Sequence, residues 1–390
     1  MPAAPFLTPP LRRAIIVLTS VRLIVNTMER FVYPFLPAIA RGLGVPLDQA
    51  ALLLSVRSGT SLAMPAVVAT VGRGGRRRRL MTVAMVLTAL GALIVAGPWG
   101  FAGAMVGFVL IGLGKPTYDV GALSYVADRT PYERRARVLG FMEVTFAGGL
   151  LIGTPLMGLL IDGFDWRGPF VAIAVLLAVA IPVLRRNVER GHPEGGDEPV
   201  KLRVTPRMVA FLVVVSMFMA GTETTFIVMG AWLEDDFGLS ILALGGIALF
   251  LGFAELLGEG LVVGLADRLG KRGMAVGGLV VGATGFALIP LAGTSSIVGL
   301  SALALALFGF EIGIVSAIPL ASEMAPGARA SFIALFGTSM LVGRLLGSLV
   351  GPRLYLEAGI SGNALATSAT YLLAAFLLTR VVHSDRPAQA

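Results

Sequence analysis

The sequence predicts an all-α membrane protein with about twelve transmembrane helices in two pseudo-symmetric six-helix bundles. Hydrophobic residues make up 56% of the chain and charged residues only 14%, whereas soluble domains carry about 25% charged residues. The apolar residues are grouped into runs of about 20, the length that a helix needs to cross a bilayer. The same polar landmarks also occur twice along the chain, as expected for two related halves.

Six apolar runs precede a polar segment, and six follow it. The first six cover residues 14–37, 50–72, 80–98, 101–127, 137–162 and 169–184. The second six cover residues 208–233, 241–266, 273–293, 296–322, 330–356 and 362–382. The 50 glycines and 22 prolines suit membrane helices, where neighbouring helices pack closely against an altered backbone. We therefore expect an N-terminal bundle at 1–184, a cytoplasmic linker at 185–207 and a C-terminal bundle at 208–390.

Basic residues are concentrated in alternate loops. One set of loops holds most of the arginines and lysines, including the run from Arg76 to Arg79, whereas the other set holds only Arg41, Arg167 and Arg353. Because cytoplasmic loops are rich in Lys and Arg, both termini are predicted to lie in the cytoplasm, with the protein in the plasma membrane. The net charge of +8 is thereby explained by topology, and no nucleic-acid partner is expected.

Missing residue types exclude several kinds of chemistry. The chain has no cysteine, and its two histidines, His192 and His383, fall in the linker and the C-terminal tail. Disulfides, thiolate nucleophiles and a histidine relay inside the membrane are thereby excluded, and no metal site is expected. No nucleotide-binding motif occurs. We expect no cofactor, and the proton gradient is the natural source of energy.

The two halves carry matching landmarks at one separation. Residues 72–77 (GRGGRR) resemble residues 267–272 (DRLGKR), and Asp128 corresponds to Glu323. The number of positions between the two members is the same for both matches. Both matches fall at predicted cytoplasmic helix ends, after the second and the fourth run of each half. Two matches at one separation indicate duplicated six-helix halves.

Residues 265–272 (LADRLGKR) closely match the loop signature between the second and third spans of a half in the major facilitator superfamily. Residues 166–170 (WRGPF) follow another habit of that family, and residues 149–158 resemble a glycine–proline motif common in exporters, with one residue inserted before the proline. The chain resembles this family over essentially its whole length. The resemblance implies the superfamily fold and transport by alternating access.

The resemblance also implies a gate at the cytoplasmic helix ends. In the family, the loop aspartate, the basic residues after it and an acid at the inner end of the fourth span form a charge network that locks the inner gate in the outward-open state. In the second half the gating residues are expected to be Asp267, Arg268, Lys271, Arg272 and Glu323. The first half keeps Arg73, Arg76 and Asp128 but has Gly72 in place of the aspartate, so its gate is expected to be weaker or to close by other contacts.

A polar stripe follows the first run at steps of three and four, so its members share one helix face and should point into the bundle. These residues are Arg22, Asn26, Glu29, Arg30 and Tyr33. The Asn26-x-x-Glu29-Arg30 string also resembles a pattern in anion-carrying and lipid-carrying members of the superfamily. The alternative is that Glu29 simply pairs with Arg57 or Arg30.

Lys115 and Asp119 lie four residues apart in the fourth run, on one helix face. They either pair along the helix, or Lys115 reaches the solute from its position near mid-span.

Three glutamates fall near the middle of runs in the second half. Glu223, Glu255 and Glu311 lie in the seventh, eighth and tenth runs, and Arg344 in the eleventh is the cation of this half expected to balance them. Three carboxylates beside one cation cannot all stay ionised at low dielectric, so at least one is expected to carry a proton near neutral pH. These three residues and Glu29 are the predicted proton-coupling residues. The alternative is that they are neutral acids hydrogen-bonded to neighbouring helices.

These charges predict a solute site between the halves. The candidate substrate-binding residues are Arg22, Asn26, Arg30, Tyr33, Arg57, Lys115 and Arg344. The expected function is proton-coupled export of a small amphipathic or drug-like solute, by a monomer surrounded by membrane lipids. The basic first half favours instead an organic anion or a lysolipid-type head group. An enzyme is not expected, because no nucleophile or metal ligand has the necessary partners, and a non-transporting receptor is the remaining alternative.

Overall fold

The computed structural model describes residues 8–71, 77–189 and 202–382, and these residues are almost entirely helical. The first half contains α1 (Pro9–Arg30), α2 (Val32–Leu43), α3 (Leu47–Val71), α4 (Arg77–Ala96), α5 (Gly100–Arg129), α6 (Tyr132–Gly148), a π-helical turn (Gly149–Gly153), α7 (Thr154–Gly163) and α8 (Gly168–Asn187). The second half contains α9 (Pro206–Phe226), α10 (Met229–Phe237), α11 (Ile241–Leu269), α12 (Lys271–Leu288), a 3₁₀ turn (Ile289–Ala292), α13 (Ser296–Met324) and α14 (Arg329–Val381).

Apart from residue 72, which lies outside the described ranges, the twelve apolar runs fall within these helices to within two residues. The predicted all-α architecture of two six-helix halves is therefore confirmed. By length and composition alone, nine helices within the described ranges could cross a membrane, or ten if the sharply bent pair at 32–43 and 47–63 is one span. Two features explain why this number is below twelve. α1 carries Arg22, Glu29 and Arg30, and α14 joins the last two runs across a non-helical residue, Gly359.

Spans one and seven are broken at corresponding places. α1 gives way to α2 at Phe31, where Pro34 has no N–H to donate to the carbonyl of Arg30. α9 gives way to α10 at residues 227–228. Both outer segments end at a glycine in the left-handed conformation, Gly44 (φ 68°) and Gly238 (φ 62°), a backbone shape that side chains disfavour. The pseudo-symmetry predicted from polar landmarks thus extends to the helix breaks.

Large apolar side chains cover the outside of the bundle. Val263, Leu291 and Phe253 have exposed fractions of 80%, 71% and 54%. A soluble monomer would rarely leave so much apolar surface in contact with water. Lipid chains solvate this surface, in keeping with an integral membrane protein.

Spans seven and eleven pack through a ladder of glycines. A Cβ atom on Gly343, Gly347 or Gly351 of α14 would lie 2.4 Å, 2.4 Å or 2.5 Å from a backbone oxygen of α9. The two backbones are therefore in direct contact, which only glycine allows. The four-residue ladder is helix packing, as its sequence spacing indicates, and it fixes the position of Glu223 on α9 relative to Arg344 on α14.

Replacing Gly347 with Ala should destabilise the fold by about 1–3 kcal/mol, because the methyl group overpacks against the carbonyl of Ala220. Gly337→Ala is the matched control in the same helix, since nothing lies within 4 Å of its Cβ position. Thermal unfolding of the purified protein should show a lower midpoint for Gly347→Ala only. Equal midpoints for the two variants would contradict the packing described above.

Candidate functional site

A small closed cavity lies between the two halves near the middle of the spans. Its volume is about 20 Å³, enough for about one water molecule. It is lined by Arg30, Tyr33, Met219, Thr222, Glu223, Phe226, Glu255, Leu307, Phe310 and Arg344. Residues of both halves form the wall, so any opening between the halves would enlarge this cavity.

Arg30 and Glu255 form an ion pair across the boundary between the halves. The guanidinium Nη2 of Arg30 donates to Glu255 Oε1, and both side chains are almost fully buried, with exposed fractions of 4% and 1%. The rings of Phe146 and Phe226 lie 4.4 Å and 5.5 Å from the guanidinium carbon. Cation–π contact and the carboxylate together stabilise a charge that the bilayer would otherwise disfavour.

The ion pair of Glu255 shows that the expected charge balance of the second half is wrong. Arg344 is not left alone to balance Glu223, Glu255 and Glu311, because Arg30 reaches across from the first half to pair with Glu255. Counting charges within one half cannot detect a partner that arrives from the other half. Arg344 itself lies beside Tyr33 and Glu223.

A second polar chain also links the halves. The hydroxyl of Tyr33 donates to Glu223 Oε1 over 2.7 Å, and Arg57 Nη2 donates to the hydroxyl of Tyr33 over 3.1 Å. Arg57 Nε lies 3.3 Å from Glu29 Oε2. The alternative pairing of Glu29 with Arg57 is therefore realised, and this pair is buried next to the cavity.

Glu311 is the least satisfied acid of the cluster. Its side chain is buried, and Oε1 has no hydrogen-bond partner. It lies within electrostatic reach of Glu255, Arg30 and Arg344. An ionised carboxylate in this position would be poorly compensated, whereas a protonated one would be neutral.

A separate network occupies the inner part of the first half. Arg22 bonds to Asp119 Oδ1 (2.9 Å) and to both carboxylate oxygens of Glu143 (3.0 and 2.9 Å). Lys115 Nζ donates to Asp119 Oδ2 (2.6 Å) and to Asn26 Oδ1 (2.9 Å). Lys115 and Asp119 thus pair along the helix, as one of the two interpretations predicted.

Three of the predicted substrate-binding residues therefore already have hydrogen-bond partners within this network. Arg22 and Lys115 both bond to Asp119, and Asn26 accepts from Lys115. None of these three residues lines the closed cavity. By contrast Arg30, Tyr33 and Arg344 line it directly. Asp119 and Glu143 were not among the predicted site residues, although the four-residue spacing of Lys115 and Asp119 was a signal for the first of them.

Ion pairs lie at the helix ends that the sequence predicts to be cytoplasmic. Lys271 pairs with Glu323 in the second half, and Arg77 pairs with Asp128 in the first. The predicted partners of Asp128, Arg73 and Arg76, lie outside the described residues, as does the side chain of Asp267. Arg272 donates to the carbonyl of Thr379 over 2.6 Å, and Arg268 is exposed. Arg77 was not among the predicted gating residues, although it pairs with one of them, Asp128.

A larger groove of about 1040 Å³ opens at the same end of the second half, between Arg207, Lys271 and Glu323. The described residues that line this groove all belong to the second half. Within the described ranges, no group of three His, Asp or Glu residues is arranged to hold a metal ion.

The halves also touch at their outer ends. Arg41 forms a two-pronged ion pair with Glu234 (3.0 and 2.8 Å), and the hydroxyls of Ser55 and Ser348 lie 2.8 Å apart. A Cβ on Gly230 would lie 2.3 Å from the carbonyl oxygen of Pro34, so α2 and α10 are in backbone contact. These contacts hold the two halves together at the end that the sequence predicts to face outward.

A family model described as Major Facilitator Superfamily matches residues 18–321 and, in a second alignment, residues 209–390. Among curated proteins, the chain is 24% identical over 273 residues to YbcL of Bacillus subtilis, named as an uncharacterized MFS-type transporter, covering 68% of this chain and 69% of YbcL. It is 25% identical over 285 residues to the class G tetracycline resistance protein of Vibrio anguillarum, covering 67% and 70%. The fold matches the crystal structure of the human organic anion transporter MFSD10 (TETRAN) with a TM-score of 0.73 and 18% identity, covering 95% and 100% of the two chains.

Proposed function

Since the chain belongs to the Major Facilitator Superfamily of membrane transporters, and not to an enzyme family, we propose that it exports a small amphipathic solute in exchange for protons. The observation that carries this proposal is the ion pair between Arg30 and Glu255, which joins the halves at mid-depth beside an unpaired buried acid, Glu311. The protein acts in the plasma membrane as a monomer among lipids, with both termini in the cytoplasm.

Export is supported by two similarities. The chain is related to a protein named for tetracycline resistance, and a transporter confers resistance by lowering the amount of drug inside the cell. The π-helical turn at Gly149–Gly153 and the proline that follows it lie in the motif that resembles one common in exporters.

The positions of the charges support proton coupling. Arg30 belongs to the first half, and Glu255 and Glu311 belong to the second. When Glu311 is ionised, two carboxylates attract Arg30 and hold the halves together; when Glu311 takes a proton, that attraction falls. A proton that binds Glu311 from one side and leaves to the other therefore changes how readily the halves separate around the cavity.

The organic-anion alternative is less well supported by the contacts. Arg22, Arg57 and Lys115 each have an acidic partner within their own half. An anion that bound to these cations would have to displace those partners. The basic first half is therefore electrostatically balanced rather than poised to bind an anion.

Reconstitution into liposomes tests the proposal. A pH-sensitive dye inside the vesicles reports proton movement when gradients of cationic drugs, organic anions or lysolipids are imposed in turn. We expect a proton flux that depends on the solute. Solute movement without proton flux would indicate a uniporter or another coupling ion, and binding without any solute movement would favour a receptor.

Alternating access can be tested with a crosslink at the outer contact. Because the chain has no cysteine, Ser55→Cys with Ser348→Cys places the only two thiols where hydroxyls lie 2.8 Å apart. Oxidation should join spans two and eleven and abolish transport, and a reducing agent should restore it. Each single variant, oxidised in the same way, should transport normally. Full transport by the crosslinked protein would contradict opening on this side.

A further inference from the structure

Two buried polar atoms of the central ion pair lack partners. Arg30 Nε is a donor without an acceptor, and Glu255 Oε2 is an acceptor without a donor. Both residues line the same closed cavity, and their side chains are more than nine-tenths buried. Buried polar groups in folded proteins nearly always have hydrogen-bond partners, so an unsatisfied donor and an unsatisfied acceptor at one cavity indicate a place for a ligand that carries both kinds of group.

When Glu311 beside the cavity is protonated, the charges that line the cavity cancel. Two are positive, Arg30 and Arg344, and two are negative, Glu223 and Glu255. At low dielectric, a ligand with a net charge would leave the closed site charged, whereas a ligand with one charge of each sign would keep it neutral. The cavity therefore favours a ligand without net charge but with separated charges.

We propose that the solute is a zwitterion with an apolar body, whose anionic group binds Arg30 and whose ammonium group binds Glu255. This inference rests on the proposed function and specifies its solute. On binding, the ligand inserts between the two side chains and replaces their direct bond with one bond to each half. The two halves then remain linked through the ligand.

A ligand with a single charge would satisfy only one side of the broken pair. A cation on Glu255 would leave Arg30 buried without a partner, and an anion on Arg30 would leave Glu255 in the same state. Breaking a buried ion pair by supplying only one new partner is strongly unfavourable. The zwitterion avoids this penalty because each of its charges replaces the one that it displaces.

The rest of the wall fits an apolar body. Met219, Phe226, Leu307 and Phe310 also line the cavity, and the rings of Phe146 and Phe226 lie 4.4 Å and 5.5 Å from the guanidinium carbon of Arg30. Aromatic and thioether side chains accept flat ring systems without strict shape requirements. An aromatic body with an amino and a carboxylate group at one end can therefore bind the charged pair and contact these apolar side chains at the same time.

Three compounds that share one aromatic body test the proposal. They are 2-naphthylalanine (a zwitterion), its amide (a cation) and its N-acetyl derivative (an anion). Their affinities for the purified full-length protein are measured by calorimetry at neutral pH. We expect the zwitterion to bind at least tenfold more tightly than either of the others.

Two variants separate a ligand contact from a structural role. Glu255→Gln should shift the preference towards the N-acetyl anion, and Arg30→Gln should shift it towards the amide. Glu357→Gln, at an exposed site outside the cavity, should leave the order of affinities unchanged. A reversal of preference in opposite directions cannot result from a general loss of folding.

The zwitterion assignment would be overturned if the amide bound most tightly. It would also be overturned if the N-acetyl anion bound most tightly and a proton was taken up with it. Failure of all three compounds to bind would overturn it as well. In either case, a solute-dependent proton flux in liposomes would still uphold the proposed transport function, so the two failures can be told apart.

Discussion

Glu311→Gln is expected to abolish solute-driven proton flux in liposomes while leaving solute binding in place. Glutamine has nearly the shape of a protonated glutamate but can neither gain nor lose a proton. Glu311 is buried, and its Oε1 has no partner in the cluster, so the substitution removes the titratable group without breaking a hydrogen bond to that atom. The variant should behave as if its site were permanently protonated.

Proton flux and solute exchange should be measured in the same vesicles. Solute exchange between equal concentrations on the two sides should persist in Glu311→Gln, and its dependence on pH should flatten. Glu357→Gln, an exposed glutamate in the same half, serves as the control and should behave like the parent protein. Unchanged proton flux in Glu311→Gln would move the coupling role to Glu223 or Glu255.

The second large effect concerns stability at the boundary between the halves. Arg30→Met leaves Glu255 buried with no cation bonded to it, which should lower the free energy of unfolding by about 3–5 kcal/mol. Glu255→Met should cost less, because Glu311 remains within reach of Arg30. The double variant should recover most of the loss, because no buried charge of the pair remains.

A double-mutant cycle of thermal unfolding measures this coupling directly. The two single variants and the double variant are compared with the parent protein in one detergent. Recovery in the double variant is the expected result. If the losses simply add, the two side chains do not interact in the folded protein, and the arrangement of the central site would have to be revised.

Several features of the site could be predicted from the sequence alone. The polar stripe of span one is buried throughout, as its spacing indicates, and Glu29 pairs with Arg57 as one alternative proposed. The spacing of Lys115 and Asp119 predicts their contact. The burial of the stripe and the contact between Lys115 and Asp119 depend on residues that share one face of one helix, where helical periodicity fixes which side chains are neighbours. The pair of Glu29 with Arg57 joins two helices, and the sequence left it as one of several alternatives.

Other features could not be predicted. The partner of Glu255 comes from the other half, and the ring that lies 4.4 Å from Arg30 belongs to span five. Asp128 pairs with Arg77, which was not among the predicted gating residues. Such pairings depend on the rotation of each helix about its axis and on its depth relative to its neighbours. A regular apolar pattern does not determine the rotation or the depth closely enough to identify one partner residue.

The sequence by itself determined that this chain is a duplicated bundle of membrane helices, because apolar length, loop charge and repeated landmarks each act along the chain. The tertiary structure decided which charges meet. It joined Arg30 to Glu255 and Tyr33 to Glu223 across the two halves, and it left Arg22 and Lys115 balanced within one half. The physical reason is that a charge at bilayer depth pairs with the opposite charge that close packing brings near it. Helix packing is set by contacts such as the glycine ladder of span eleven, not by distance along the sequence.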